Sequence, residues 1–203
     1  MASIPTIDAF KSQIGAGGGP ALANLFYVEL PLIPGTNLSA AERNLLCKAS
    51  RIPGRQIATL DRTIGIENQK ISVGYAVADV TLSFHLLNDY KVRNYFEAWQ
   101  NLSVDQGSQQ IKYSDNYKFP TKIYQLKKGV GIQLFDFDFK LPFFNSVVNF
   151  DIEASSSSSV VYGVELDKAF PVTMNGIDLT DQSADTVVEL SVDLSYKNWK
   201  RIR

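Results

Sequence analysis

Residues 80–102, VTLSFHLLNDYKVRNYFEAWQNL, contain a change of hydrophobic period that few arrangements of chain can accommodate. Val80, Leu82, Phe84 and Leu86 alternate with Thr81, Ser83 and His85, the period of two that puts one face of a strand into a core. From Val92 onward the apolar residues are Val92, Tyr95, Phe96 and Trp99, the i, i+3, i+4, i+7 set that lies along one side of a helix. Asn88 and Asp89 stand at the change, and either side chain can accept a hydrogen bond from the free amides of a first helical turn. The segment therefore predicts a strand, a turn and a helix. That helix must lie across a sheet, because a stripe carrying Tyr95, Phe96 and Trp99 needs an apolar partner. Fully burying each ring is worth roughly 2 to 3 kcal/mol.

A chain of 203 residues suits one large domain, or one domain with insertions, and can bury a sizeable core unaided. Its 20 basic and 21 acidic side chains leave a net charge of -1, which excludes a protein that grips nucleic acid by bulk charge. Any contact with DNA is expected to be loose. No apolar run approaches the ~20 residues needed to cross a bilayer, and residues 1–20 lack the basic start and apolar centre of a signal peptide. The expectation is a protein made in a cytoplasm, with no membrane partner. A lone Cys47 forms no internal disulfide, in agreement with a reducing compartment.

Residues 1–20 end in GAGGGP, which is costly to order and has no side chains to pack. It is not a phosphate cradle: no strand precedes it, Pro20 replaces the last glycine of G-x-G-x-x-G, and no Gly-Lys-Ser/Thr follows. A flexible arm is expected. Residues 24–30 read as a first strand, with Phe26, Val28 and Leu30 alternating against Tyr27 and Glu29. Ser39 and Glu42 have capping-box spacing ahead of a short helix or helical turn. Cys47 is read as a small packing residue rather than a nucleophile, since the one histidine, His85, falls in the polar register of a strand. Residues 57–77 read as two strands joined at a polar tip, Glu67, Asn68 and Gln69. This hairpin is apolar for a surface element, and such an edge has to be covered.

Beyond the helix, residues 112–128 mix tyrosines with lysines and read as a loop and then a strand with lysines on its solvent side. In residues 133–141, Asp136 and Asp138 share one strand face, but no histidine or third carboxylate lies near them in sequence, so a solvated polar face is expected. Residues 138–166 read as an inserted hairpin, with Ser155 to Ser159 as a flexible tip. Residues 186–199 form a last strand in which Val188, Leu190, Val192, Leu194 and Tyr196 oppose Glu189, Ser191, Asp193 and Ser195. Together these pieces predict a mainly β fold, an antiparallel sandwich or barrel of roughly eight strands with one packed helix. No catalytic, metal or cofactor constellation emerges, so no enzyme and no cofactor are expected.

Several stretches are informative in their wording. Leu46-Cys47-Lys48-Ala49-Ser50 with Ile52-Pro53-Gly54-Arg55 resembles the L-C-K-x-A-x-x-P-G signature of tail tube proteins from contractile-tailed bacteriophages, with Ala49 one place early. Asn88-Asp89, Arg93-Asn94, Phe96-Glu97 and Trp99 resemble that family's N-D-x-x-x-R-N-x-F-E-x-W segment. Ile123 to Leu126, Phe170-Pro171-Val172 with Ile177 and Leu179, and the ending Leu194 to Trp199 are similar to its later strands. The matches keep one order from about residue 22 to 200. Departures are the long glycine-rich start and the insertion at 138–166.

The resemblance implies a tail tube β-barrel domain over residues 21–203, after an N-terminal arm over 1–20. It implies a structural virion protein: a homo-hexamer whose rings stack into the hollow inner tube of a contractile sheath, through which genome DNA passes transiently. Its partners would be the tail sheath protein, a baseplate tube initiator and a tail terminator, and assembly would occur in the host cytoplasm. It also implies kinship with the tube proteins of type VI secretion and of phage-tail-like bacteriocins. On this analogy Ile64, Ile66, Ile71, Val73 and Tyr75 of the hairpin are candidate inter-ring contacts. The alternative is that they pack within their own subunit. Glu189 and Asp193, or Asp136 and Asp138, are candidates for the bore. Two rival readings stay open: a tube initiator or terminator present in few copies, and a small-molecule-binding barrel of lipocalin type.

Overall fold

The computed structural model describes residues 6–16, 19–36, 38–127, 160–177 and 187–202. Along the chain these form α1 (Ile7–Ala16), β1 (Phe26–Glu29), α2 (Ala40–Leu45), β2 (Cys47–Ser50), β3 (Gln56–Ile64), β4 (Glu67–Ala76), β5 (Val80–His85), α3 (Lys91–Ser103), a 3-10 turn (Ser114–Asn116), β6 (Phe119–Leu126), β7 (Val160–Met174), β8 (Glu189–Ser195) and β9 (Asn198–Arg201). The main sheet runs β1-β6-β7-β8-β5-β2, with β9 also paired to β7, and every pairing is antiparallel. β3 and β4 form a separate two-stranded sheet.

The period change at residues 80–102 is realised as expected. Val80, Leu82 and Phe84 of β5 are buried, as are Val92, Tyr95, Phe96 and Trp99 of α3. The Phe96 ring lies 5.2 Å from Phe84 and 5.1 Å from Tyr95, and Trp99 packs 6.1 Å from Phe119 at the start of β6. Burial leaves the polar tips to be satisfied: the Tyr95 hydroxyl donates to the Pro31 carbonyl at 2.6 Å and Trp99 Nε1 donates to the Tyr117 carbonyl at 2.7 Å. At the helix entry Asp89 Oδ1 accepts from the Lys91 amide at 3.2 Å, while Tyr90 takes a left-handed φ of 50°. The capping box of α2 is also present. Ser39 Oγ accepts from the Glu42 amide at 3.2 Å, and the Glu42 carboxylate accepts from the Ser39 amide at 3.0 Å.

β7 organises the sheet. Its first half pairs with β6 on one side and β9 on the other, and its second half pairs with β8. Lys168, with φ at 54°, sits where the partners change and bends the strand in the manner of a bulge. The bend explains why residues 186–199 are not one strand: β8 follows the second half of β7, the Lys197 amide then donates to the Asp167 carbonyl at 3.0 Å, and β9 follows the first half. The path ends on two short edge strands, β1 and β2, and α2 packs against both. Asn44 of α2 ties this seam, accepting from the Leu30 amide at 3.2 Å and donating to the Tyr27 hydroxyl at 2.5 Å. The architecture is mainly β and antiparallel with one main packed helix, as expected, and the described strands do not close into a barrel.

Three further features differ in detail from the pattern reading. The hairpin turns at Gly65 and Ile66 rather than at Glu67 to Gln69, because Gly65 supplies the φ of 65° that a tight two-residue turn requires. Residues 7–16, within the expected arm, are helical and have no buried side chain. Of the stretch 138–166, residues 138–159, including the serine run, lie outside the described residues, and residues 160–166 form the first half of β7 with Val164 and Leu166 in the core. No helix among the described residues is long and apolar enough to cross a membrane.

Candidate assembly interface

The β3–β4 hairpin is the strongest candidate surface. Every residue of β4 is exposed. Across the ladder Ile57 faces Tyr75 and Leu60 faces Ile71, and all four side chains are exposed. Residues three apart on one strand project to opposite faces, so both faces of the hairpin carry an apolar pair. Val73 is exposed beside a register shift, and Ile66 stands fully exposed at the tip. Ile64 closes β3 opposite Glu67. An isolated two-stranded hairpin is marginal in water. At its root, the Arg55 guanidinium lies over the rings of both Tyr75 and Trp199.

Thus four of the five hairpin candidates named from sequence, Ile66, Ile71, Val73 and Tyr75, are exposed together on one element. Ile57 and Leu60 were missed as contacts although both belong to the same apolar set. Their signal was the cross-strand register, which depends on locating the turn at Gly65 and Ile66.

A second surface is the polar side of β5 and β8. Thr81 Oγ1 donates to Asp193 Oδ1 at 2.6 Å, the Ser83 and Ser191 hydroxyls meet at 3.3 Å, and His85 stands opposite Glu189. Glu189 also pairs with Lys48 of β2. The hydrogen bond from Lys48 holds the Glu189 carboxyl below the usual glutamate range. Of the four bore candidates, Glu189 and Asp193 therefore share one face, each with a neutralising or hydroxyl partner. Asp136 and Asp138 lie outside the described residues.

The Cys47 thiol is half-buried, its proton held by desolvation that pushes the pKa up to about 12, so at neutral pH it is not a thiolate nucleophile. No group of three or more candidate metal ligands occurs among the described residues.

A family model described as phage tail tube protein matches residues 21–202. No individual curated protein matches the sequence. Among solved structures, the chain is similar to one in the six-fold symmetrised baseplate of the anti-feeding prophage, at 13% identity and a TM-score of 0.57, covering 90% of this chain and 95% of that one. A chain of the sheath/tube terminator of an extracellular contractile injection system aligns at 10% identity and a TM-score of 0.56, over 91% and 97% of the two chains. A chain of the sheath-tube complex of such a system aligns at 10% identity and a TM-score of 0.56, over 94% and 95%. At these identities the structures speak for the fold, while the family model spans nearly the whole sequence. The chain belongs to the phage tail tube protein family.

Proposed function

We propose that six copies of this chain close a ring, and that rings stack through the β3–β4 hairpin into the inner tube of a contractile tail, the conduit for DNA. The observation that carries this reading is the hairpin itself, apolar on both faces and exposed in the single chain. Association through it removes that area from water. Among the described residues the sheet order ends on β1 and β2, the edges through which neighbours within a ring would extend it. Support from outside the chain is the likeness to a protein of a sheath-tube complex, which accords with a sheath partner.

In this reading the polar face of β5 and β8 lines the bore with Glu189 and Asp193. Its pairing with Lys48 and its hydroxyls leave little unbalanced positive charge, so DNA would not be held there by counterion release. The role is structural rather than enzymatic, as befits the family.

A second position in the same assembly is favoured by a specific observation: chains of a baseplate and of a tube-terminating cap align, with TM-scores of 0.57 and 0.55, as well as the chain of the sheath-tube complex does. A ligand-binding barrel is disfavoured, because the buried side of the sheet is packed with Tyr95, Phe96 and Trp99 of α3. Negative-stain electron microscopy of the purified protein at high concentration tests the proposal. Long hollow tubes with six-fold end views are expected. Single rings that do not stack would move the protein to the initiator or terminator position, and a uniformly monomeric protein would remove self-assembly through the hairpin.

A further inference from the structure

Among the described residues the hairpin forms no ladder with the main sheet, so something else must set the angle at which it leaves the body. Arg55, the residue immediately before β3, has its guanidinium carbon 5.3 Å from the Tyr75 ring centre and 4.8 Å from that of Trp199. Tyr75 is near the end of β4, so one cation touches both strands' roots: its own backbone leads into β3, and its side chain lies on the ring that leads out of β4. Trp199 belongs to β9, which is paired to the central strand β7 through Leu166 opposite Trp199. The contact is reciprocal. Trp199 Nε1 donates to the Gly54 carbonyl at 3.2 Å, and Arg55 Nη2 donates to the Trp199 carbonyl at 3.4 Å. Pro53, buried just upstream, restrains the chain that enters this arrangement.

We infer that Arg55 and Trp199 form a clamp that fixes the pose of the hairpin on the body, making both of them positioning residues for the stacking contact. The inference rests on the proposed role of the hairpin but concerns a different property, its direction before assembly. A planar cation over two aromatic rings is directional, since the attraction depends on the cation lying over the ring. Without it, the two strands would remain paired but could swing as a unit about residues 51–55 and 77–79. A swinging hairpin must be ordered at each stacking event, and that ordering entropy opposes association.

The test is a distance measurement by pulsed electron paramagnetic resonance on the full chain, kept dilute enough to remain unassembled. Spin labels at Ile66→Cys on the tip and Asn94→Cys on α3, in a Cys47→Ala background, report the pose. A narrow distribution is expected in this parent, widening at least twofold in Arg55→Gln and in Trp199→Leu. Arg55→Lys keeps a cation over the rings and should restore most of the narrowing. Thermal midpoints of the Arg55 variants should match the parent, because Arg55 is exposed. Should Trp199→Leu fold poorly, Tyr75→Leu removes the other ring at an exposed position and gives the same readout. An unchanged width in Arg55→Gln and Tyr75→Leu would overturn the clamp. Tube formation by the same variants separates the two readings: widened distributions with normal tubes would uphold the clamp and remove the hairpin as the stacking element, whereas widening with at least a tenfold rise in the concentration needed for tubes would uphold both.

Discussion

The β5–α3 unit and the β3–β4 hairpin are built from similar material, and the folded subunit treats them in opposite ways. Phe84, Phe96 and Trp99 are 0% exposed, while Tyr75 is 51% and Val73 63% exposed. In the first unit a strand face and a helix stripe come from adjacent sequence and cover each other. In the second, two strands pair with each other through their backbones and leave both side-chain faces open. A hairpin spends its hydrogen bonds internally and leaves its apolar surface open, which is what the proposed stacking contact would cover. Apolar pattern thus specifies an element, but the number of faces that element leaves open specifies whether the partner is internal.

This contrast makes substitutions in the two regions diverge. Trp99→Ala should have the largest effect on the subunit, about 3 to 5 kcal/mol by urea unfolding, from the lost ring and the cavity it leaves. It also leaves the Tyr117 carbonyl without its donor. A cost below about 1 kcal/mol would mean that the rings do not close the core. Ser39→Ala, which removes the cap of α2 where β1 and β2 meet, should cost about 1 kcal/mol in the same assay.

Tyr75→Asp should change subunit stability by no more than about 0.5 kcal/mol, as expected for an exposed site, yet abolish tube formation in the microscope. Normal tubes from a folded Tyr75→Asp protein would remove Tyr75 from the stacking contact.

The smallest effect is a pH dependence. The Glu42 carboxyl is held below the usual glutamate range first by its hydrogen bond with the Ser39 hydroxyl, then by the Ser39 amide and Lys91. Because the folded value is the lower one, this contribution is present above the ordinary glutamate pKa and disappears as pH falls through the folded value. Solvent screening keeps it slight at so exposed a site. Acid titration of the thermal midpoint should therefore show a small fall in the parent that Ser39→Ala flattens.

Local periodicity made a good part of the fold legible. The strand and helix of residues 80–102, the alternation through β8 and the capping box at Ser39 all follow from residues within a few positions of one another. The hairpin was legible as an element, and so was its unusual apolar content. Its turn was misplaced because polar residues at 67–69 mimic a tip, whereas the chain reverses where Gly65 can take a positive φ. In the same way, residues 186–199 read as one strand, with unbroken alternation over 188–196. They divide into β8 and β9 because the partner strand bends at Lys168, more than twenty residues away in sequence.

What residue order alone settles here is the identity of the faces: which side of β5, β8 and α3 is apolar, and that the hairpin carries more apolar surface than an exposed element should. Chain order cannot say which faces meet, because that depends on register and on bends in remote strands. The folded subunit resolves it by physical means. The bend at Lys168 directs β8 and β9 to successive halves of β7, α2 occupies the seam between the edges, and Trp199 is brought to the root of the hairpin. The last of these joins residues more than 140 positions apart. No periodicity can encode such a contact, since it exists only after the sheet has closed the distance.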